Sequence, residues 1–421
     1  MNAEEDFRAQ VQASLGRNYL AHLGHGFLGQ TGFRLIQAPT FIPAYLFELS
    51  GSNLVVGLSS GIQSLGQALT PIFAASVVEH RRRVLPITFV VGALMRVQVL
   101  GIALAGFFLA GGWSVAAVCA FLGLFGFFLG MQGVVFNTLV AKVIPVERRG
   151  MLVGLRSFLS GVCAAAVGGY GGWLVETKAL GNGYAATFLL AFVLTAAGLC
   201  MLLFVREPDS PVVRAKAAVR QRVRELPALL RSDRAYTFYF VARSLGVAGR
   251  MAVPFYYVYA KTRLDLSGAQ LGQLTAAFVL AHSIFALIWG AVADRRGFRA
   301  PFQLSLVIWI LSAVLLLRTG DFATLLVVFA ALGAGMGGFM MSSQNLVLEF
   351  GARENLPMRI AVANATSEAV GVVGPIAAGL LADSVSYVPV LAIAIACKGA
   401  ALATMMFFVD EPRRRGAGAP R

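Results

Sequence analysis

Two stretches of this chain are one stretch written twice, and that repeat limits the fold more than any other feature. Pro145 to Glu176 reads PVERRGMLVGLRSFLSGVCAAAVGGYGGWLVE and returns between Arg353 and Asp383 as RENLPMRIAVANATSEAVGVVGPIAAGLLAD. Glu147 matches Glu354, Gly172 matches Gly379 and Glu176 matches Asp383, each pair 207 positions apart. Upstream, Arg17, Tyr19, Gly29, Gly32, Ser50, Gly51 and Leu54 match Arg234, Tyr236, Gly246, Gly249, Ser267, Gly268 and Leu271 at 217, while Glu79 and Pro86 match Asp294 and Pro301 at 215. Such a chain is expected to fold as two similar halves, and parallel repeats around a central site are a design of secondary transporters.

Composition names the solvent. Of 421 residues, 58% are hydrophobic and 13% charged, too little polar surface to cover a protein of that size in water. Apolar runs long enough to cross about 30 Å of hydrocarbon as helices of roughly 20 residues fall at Leu20 to Phe47, Leu54 to Val78, Val84 to Leu109, Trp113 to Val140, Met151 to Val175 and Tyr184 to Val205. The second half offers Ala235 to Tyr259, Leu271 to Ala293, Ala300 to Leu317, Phe322 to Leu348, Ile360 to Ala382 and Val385 to Val409. The expected fold is an all-α membrane protein of about twelve transmembrane helices, in two pseudo-symmetric bundles (1–205 and 235–421) joined by a connector (206–234).

The chain carries 35 Lys and Arg against 20 Asp and Glu, an excess that in a soluble domain would point to nucleic acid. Here the basic residues gather in alternate loops: His80 to Arg83; Lys142, Arg148 and Arg149; the connector with Arg214, Lys216, Arg220, Arg222 and Arg224; Arg295, Arg296 and Arg299; and Arg413 to Arg415. That bias places these loops and both termini on the cytoplasmic side of a plasma membrane and argues against a nucleic-acid partner. The connector begins EPDSP and continues as a basic pattern, which predicts a solvated link, with contact to anionic lipid as the alternative. MNAEEDFRAQ at the start has no apolar core and does not read as a cleaved signal peptide. Cys119, Cys163, Cys200 and Cys397 fall inside predicted spans without metal-type spacing, so no disulfide framework, metal or cofactor is expected.

Between the predicted eighth and ninth spans the chain reads Gly290-Ala-Val-Ala-Asp294-Arg295-Arg296-Gly297-Phe-Arg299. This resembles the signature of the major facilitator superfamily: glycine, three residues, aspartate, a basic residue, then glycine and further basic residues. Its first-half counterpart, Ala75 to Arg83, keeps an acid at Glu79 and the basic run but neither glycine. With Pro145-x-Glu-Arg-Arg-Gly150, the repeat and the span count, the resemblance covers nearly the whole chain. It implies a monomeric transporter of the bacterial inner membrane that moves a small solute by alternating access. Gly290 predicts a close approach of two helices. Asp294 is expected to accept hydrogen bonds from exposed helix ends and from Arg295 or Arg299, with Glu349 placed to join them, as a gate rather than a ligand.

Substrate chemistry must come from polar groups at mid-membrane depth, where a charge costs about 2.5–3.5 kcal/mol unless it meets a partner or a cavity. Arg34 lies in the first span with Gln30, Gln37 and Phe41 at i−4, i+3 and i+7, on one helical face. Arg250 lies in the seventh, flanked by Arg243 and Tyr257 seven residues to either side. A guanidinium pair suits carboxylate or phosphate. In the glycerol-3-phosphate antiporters of the superfamily, comparable arginines of the first and seventh helices hold phosphate, so the resemblance implies an anionic substrate. The residues alone leave open arginines that pair with internal acids or carbonyls. Gln132 and Asn137 lie on the fourth span and Gln344 and Asn345 on the tenth, helices that line the cavity in this superfamily; Arg156 and Ser160 lie on the fifth.

Glu368, one turn after Asn364, is the clearest acid at depth and the leading proton-coupling residue, against a permanent ion pair with Lys398, Arg243 or Arg250. His22, His25 and His282 read as packing histidines, and Arg96 and Lys398 as structural cations. Gly371 to Gly379, with Pro375, resembles a glycine and proline motif that proton-coupled antiporters of the family carry in the fifth helix; here it lies in the eleventh. Symport or antiport of a small solute with protons is therefore expected, with efflux of neutral or cationic drugs, or a transport-dead sensor, as alternatives. No cluster of acids, histidines or cysteines suits an enzyme, and no Gly-x-x-x-x-Gly-Lys-[Ser/Thr] loop occurs to cradle a nucleotide.

Overall fold

In lipid a backbone must satisfy its own N–H and C=O groups, so apolar segments fold as helices. The computed structural model describes residues 3–78, 81–209, 234–350 and 356–409, and among them there is no strand. In chain order the helices are α1 (Ala3–Ala13), α2 (Leu15–Gln37), α3 (Phe41–Ser50), α4 (Asn53–Val78), α5 (Leu85–Phe108), α6 (Gly111–Val143), α7 (Val146–Glu176), α8 (Gly183–Cys200), α9 (Arg234–Ala248), α10 (Phe255–Arg263), α11 (Gly268–Arg296), α12 (Arg299–Arg318), α13 (Phe322–Leu346), α14 (Leu356–Ser384) and α15 (Tyr387–Phe407). Among the described residues, eight are long and apolar enough to cross a membrane: α5, α6, α7, α8 with the 3-10 turn that follows it, α11, α12, α13 and α15.

Two predicted spans are not single helices. Pro39 offers no N–H and pushes Ala38 into an extended conformation (φ −63°, ψ 144°), so α2 stops at Gln37 and α3 restarts at Phe41. Pro254 likewise removes the donor that would serve the Arg250 carbonyl. Val253 N–H takes it over at 2.9 Å, and a 3-10 turn, Gly249–Ala252, separates α9 from α10.

Contacts divide the chain into two units, one of Met1–Tyr45, Ile62–Ala217 and Ser267–Gly272, the other of Leu46–Gly61, Ala218–Leu266 and Gln273–Arg421. In the first, α2 packs on α7 and α8, and α5 on α6 and α8. A methyl group at Gly198 would stand 2.6 Å from Gly29 N, and one at Gly32 2.6 Å from Ala191 O, so α2 and α8 meet backbone to backbone. In the second, α12 packs on α13 and α15, and α9 on α14 and α15.

The sequence repeat has a structural counterpart. Asp383, near the end of α14, accepts hydrogen bonds from Ser52 Oγ, Asn53 N–H, Asn53 Nδ2 and Leu54 N–H, all at 2.9 Å, and so caps α4 in the second unit. Its match Glu176, at the end of α7, accepts from Ala269 N–H at 3.1 Å, at the start of α11 in the first unit. A carboxylate suits the free N–H groups of a helix start. Beside each acid, glycine lets backbones close: a methyl at Gly57 would lie 2.1 Å from Pro375 O, and one at Gly172 2.5 Å from Gly268 O.

The start of the connector is docked rather than solvated. Arg206 N–H donates to Asn18 Oδ1 at 2.8 Å, and Asn18 Nδ2 returns a bond to Arg206 O at 2.9 Å. Glu207, with a side chain only 2% exposed, accepts from Val84 N–H at 2.7 Å, Leu85 N–H at 2.8 Å and Lys142 Nζ at 2.8 Å. Three donors in one place, two of them the free N–H groups at the start of α5, hold this carboxylate out of water. Residues 210–233 lie outside those described.

Candidate functional site

On α2, Gln30 and Arg34 face α7. Ser160 Oγ donates to Gln30 Oε1 at 3.0 Å, and Arg34 Nη2 donates to Ser157 O at 3.3 Å; both α2 side chains are half-buried. Gln37, the last residue of α2, is exposed, and Phe41 is fully buried in α3. Of the predicted four-residue face, the structure keeps Gln30 and Arg34 together, and the break at Pro39 separates Phe41.

A larger polar cluster lies nearer the start of α2, where histidines read from the sequence as packing residues and Arg96, read as structural, meet Arg156 and Gln132. The rings of His22 and His25 sit 5.5 and 4.8 Å from that of Phe136 on α6, and the Arg156 guanidinium of α7 lies 4.9 Å from the same ring. Arg96 of α5 donates to Thr195 O at 2.5 Å and Gly92 O at 2.7 Å and lies over Phe33 at 5.2 Å. A methyl at Gly92 would meet both Arg96 Nη1, at 3.1 Å, and Gln132 Nε2, at 3.3 Å. Gln132 is buried, as are His22, His25, Arg96 and Arg156, whereas Asn137 is exposed. Both nitrogens of each histidine, Arg96 Nη2, Arg156 Nε and both amide atoms of Gln132 are buried without a hydrogen-bond partner among the described residues.

In the second unit Arg250 is half-buried within the 3-10 turn, Tyr257 is buried in α10, and Arg243 is buried on α9. The seven-residue spacing that places these three on one face assumes a continuous helix, and the break at Pro254 interrupts it. Lys398 is fully buried on α15; its Nζ donates to Gly249 O at 2.7 Å and lies 4.5 Å from the Trp309 ring. Gln344 is exposed on α13, and Asn345 Nδ2 donates to Met341 O at 2.8 Å within the same helix. Glu368 and Asn364 lie on α14 with side chains outside those described, and Glu79 is outside the described residues altogether.

The residues expected at the gate lie at or near helix ends. A methyl at Gly290 would meet nothing within 4 Å among the described residues, so this glycine mediates no close approach. Asp294 and Arg295 are exposed at the end of α11, and the Asp294 side chain has no hydrogen bond or ion pair among the described residues. Arg299 instead donates to Met405 O at 3.4 Å and Met406 O at 3.0 Å, where the unpaired carbonyls at the end of α15 attract a cation. Glu349 is half-buried in the 3-10 turn Val347–Glu349.

Membrane-crossing helices with cations held inside them, in a chain repeated along its length, describe a secondary transporter. The profile of the Major Facilitator Superfamily matches residues 26–262 and 239–421, and the chain belongs to this family of transporters, which are not enzymes. It is 26% identical over 368 residues to multidrug resistance protein MdtG of Enterobacter lignolyticus, covering 83% of this chain and 82% of the relative. It is 21% identical over 379 residues to a multi-drug resistance efflux pump PmrA homolog of Lactococcus lactis, covering 88% and 89%. Among solved structures it resembles a D-xylose-proton symporter with a TM-score of 0.72 at 14% identity (95% and 99% covered). It also resembles a mutant form of the nucleoside transporter NupG, with a TM-score of 0.69 at 13% identity (93% and 98% covered).

Proposed function

We propose that the chain moves a small organic or phosphorylated anion across the bacterial inner membrane by proton-coupled alternating access, as a monomer with cytoplasmic termini. One observation carries the choice of substrate. In the first half the described acids Glu48, Glu147 and Glu176 all lie within a turn of a helix end, whereas Arg96 and Arg156 lie well inside α5 and α7, and Arg34 lies in the last turn of α2. A cation inside a membrane protein is costly unless it meets a partner or a cavity, and the anionic group of a solute suits the guanidinium fork. Arg34 with Gln30, and Arg250 with Tyr257, are the proposed anion contacts. Gln132, Asn137, Gln344 and Asn345 add hydrogen bonds to the solute, and Glu368 carries the proton. A second reading, efflux of neutral or cationic drugs, is supported by the names of the relatives.

The test is flux into liposomes holding the purified protein, for organic anions, neutral metabolites and cationic drugs, with and without a pH gradient. Anion flux that falls in Arg34→Gln and Arg250→Gln is the expected result. Unchanged flux of every carried solute in both variants, at normal expression, refutes the anion site; response to cations alone favours drug efflux.

A further inference from the structure

We propose that His22, His25, Arg96 and Arg156 form an oxyanion site inside the first unit, distinct from Arg34 and Arg250, whose occupancy is linked to protonation of the histidines. Four helices converge there. α2 supplies the two imidazoles, α5 supplies Arg96, α6 supplies Gln132 and Phe136, and α7 supplies Arg156. Phe136 is the hub, with both imidazoles and the Arg156 guanidinium gathered around its ring. The site is built into the backbone. A methyl at Gly26 would stand 2.0 Å from Arg156 Nε, so only glycine lets that guanidinium lie against α2, and a methyl at Gly29 would stand 3.6 Å from Arg96 Nη2.

The unmet hydrogen-bonding groups define the ligand. Among the described residues Arg96 Nη2 and Arg156 Nε are donors without an acceptor, Gln132 can add another, and each imidazole has both nitrogens open. Buried polar atoms in such number call for a bound species, and donors that outnumber acceptors, two of them on guanidinium groups, call for an oxygen-rich anion. The charged groups facing the histidines are Arg156 from α7 and Arg96 from α5, and α6 presents Gln132 and Phe136; on α8 the exposed Cys200 lies near Arg96. No carboxylate lies among them. A bound anion therefore becomes the counter-charge that lets an imidazole take a proton, and a protonated imidazole donates from both nitrogens. The anion binds more tightly at pH 6 than at pH 8.

The chain holds four histidines, so the full-length protein labelled with ¹⁵N-histidine gives few signals, and those missing from His22→Gln and His25→Gln identify the pair. Sulfate and acetate are the first probes because their charge is constant between pH 6 and pH 8, followed by any anion that the liposome panel finds to be carried. Sulfate or acetate that moves both signals, more strongly at pH 6 and equally in Arg34→Gln, establishes a site for a free anion. Movement only with a carried solute, abolished by Arg34→Gln, establishes that the site holds the solute's own anionic group. In either case Arg156→Lys, which keeps the charge but loses the fork, weakens binding about tenfold or more. Signals that stay still with every anion at both pH values overturn the proposal, whatever Arg34→Gln does to flux.

Discussion

Replacing Gly57 by alanine tests whether the close approach of α4 and α14 belongs to one state of the transport cycle. The added carbon would stand 2.1 Å from Pro375 O, 2.9 Å from Pro375 C and 3.4 Å from Gly379 Cα. An unstrained contact needs about 3.5 Å, so the two backbones must part locally by about 1.4 Å. The obstacle is a carbonyl, which no change of rotamer removes. Overpacking of this kind costs about 1–3 kcal/mol, and exchanging Gly for Ala within a helix returns about 1 kcal/mol. A net penalty of up to about 2 kcal/mol against this arrangement lowers its population by up to about 30-fold relative to one in which the helices have separated. Spin labels at Leu58 and Leu380, which are 38% and 52% exposed on the same two helices, report the change by pulsed electron spin resonance. The Gly57→Ala protein should show a longer distance component and a lower melting temperature. Gly154→Ala serves as the control, because its methyl meets nothing within 4 Å among the described residues; it should leave both readouts unchanged or raise the melting temperature. An unchanged distance distribution and melting temperature in Gly57→Ala would refute the reasoning.

Asp383→Ala removes four hydrogen bonds at the start of α4 and should lower stability by about 1 kcal/mol, near the low end for caps because the carboxylate is exposed; thermal unfolding checks it. Lys398→Ala loses a charge-assisted hydrogen bond and a ring contact and opens a cavity, for about 2–4 kcal/mol in all. Lys398→Met should cost less, because it fills the volume and removes a buried charge. Arg83 donates to Asp209 at 2.6 Å, and this hydrogen bond, with the charge of Arg83, holds the Asp209 carboxyl below the usual aspartate range. Its contribution to stability is present above about pH 3.9 and fades as pH falls through the lower folded value. A carboxyl titration by NMR should show a depressed midpoint that Arg83→Gln raises toward the usual aspartate value, with the charges of Lys142 and Arg82 still holding it down in part.

The repeat made two structural acids legible, since Glu176 and Asp383 match in sequence and both cap helix starts, but it said nothing of their partners, which lie far away along the chain. The breaks at Pro39 and Pro254 were written in the two prolines; reading span length from apolarity alone ran through them. The partner of Arg299 was not legible because that arginine has two chemically similar options, Asp294 and the end of α15, and only tertiary packing decides between them. The cluster around Phe136 was missed because each histidine, taken alone, is an ordinary packing residue. The available signal was negative: a first half with arginines inside its spans and acids only at helix ends. Glu207 carried a comparable signal, an acid just past an apolar span in a chain whose neighbouring loops are basic.

Among the Asp and Glu residues of α2 to α15, Glu368 alone lies more than a turn from a helix end, and that isolation makes its replacement decisive. As a proton carrier, Glu368 must lose and regain a proton in each cycle, so Glu368→Gln, which mimics the protonated form, should abolish accumulation driven by a pH gradient. Exchange of labelled for unlabelled solute needs no net proton movement and should survive. A carboxylate locked in an ion pair behaves differently. Its removal leaves a buried cation without a counter-charge, which costs about 3–5 kcal/mol, so stability, accumulation and exchange should fall together. Both modes can be measured on one liposome preparation, with the melting temperature as the third readout. Accumulation that persists with normal stability removes Glu368 from coupling.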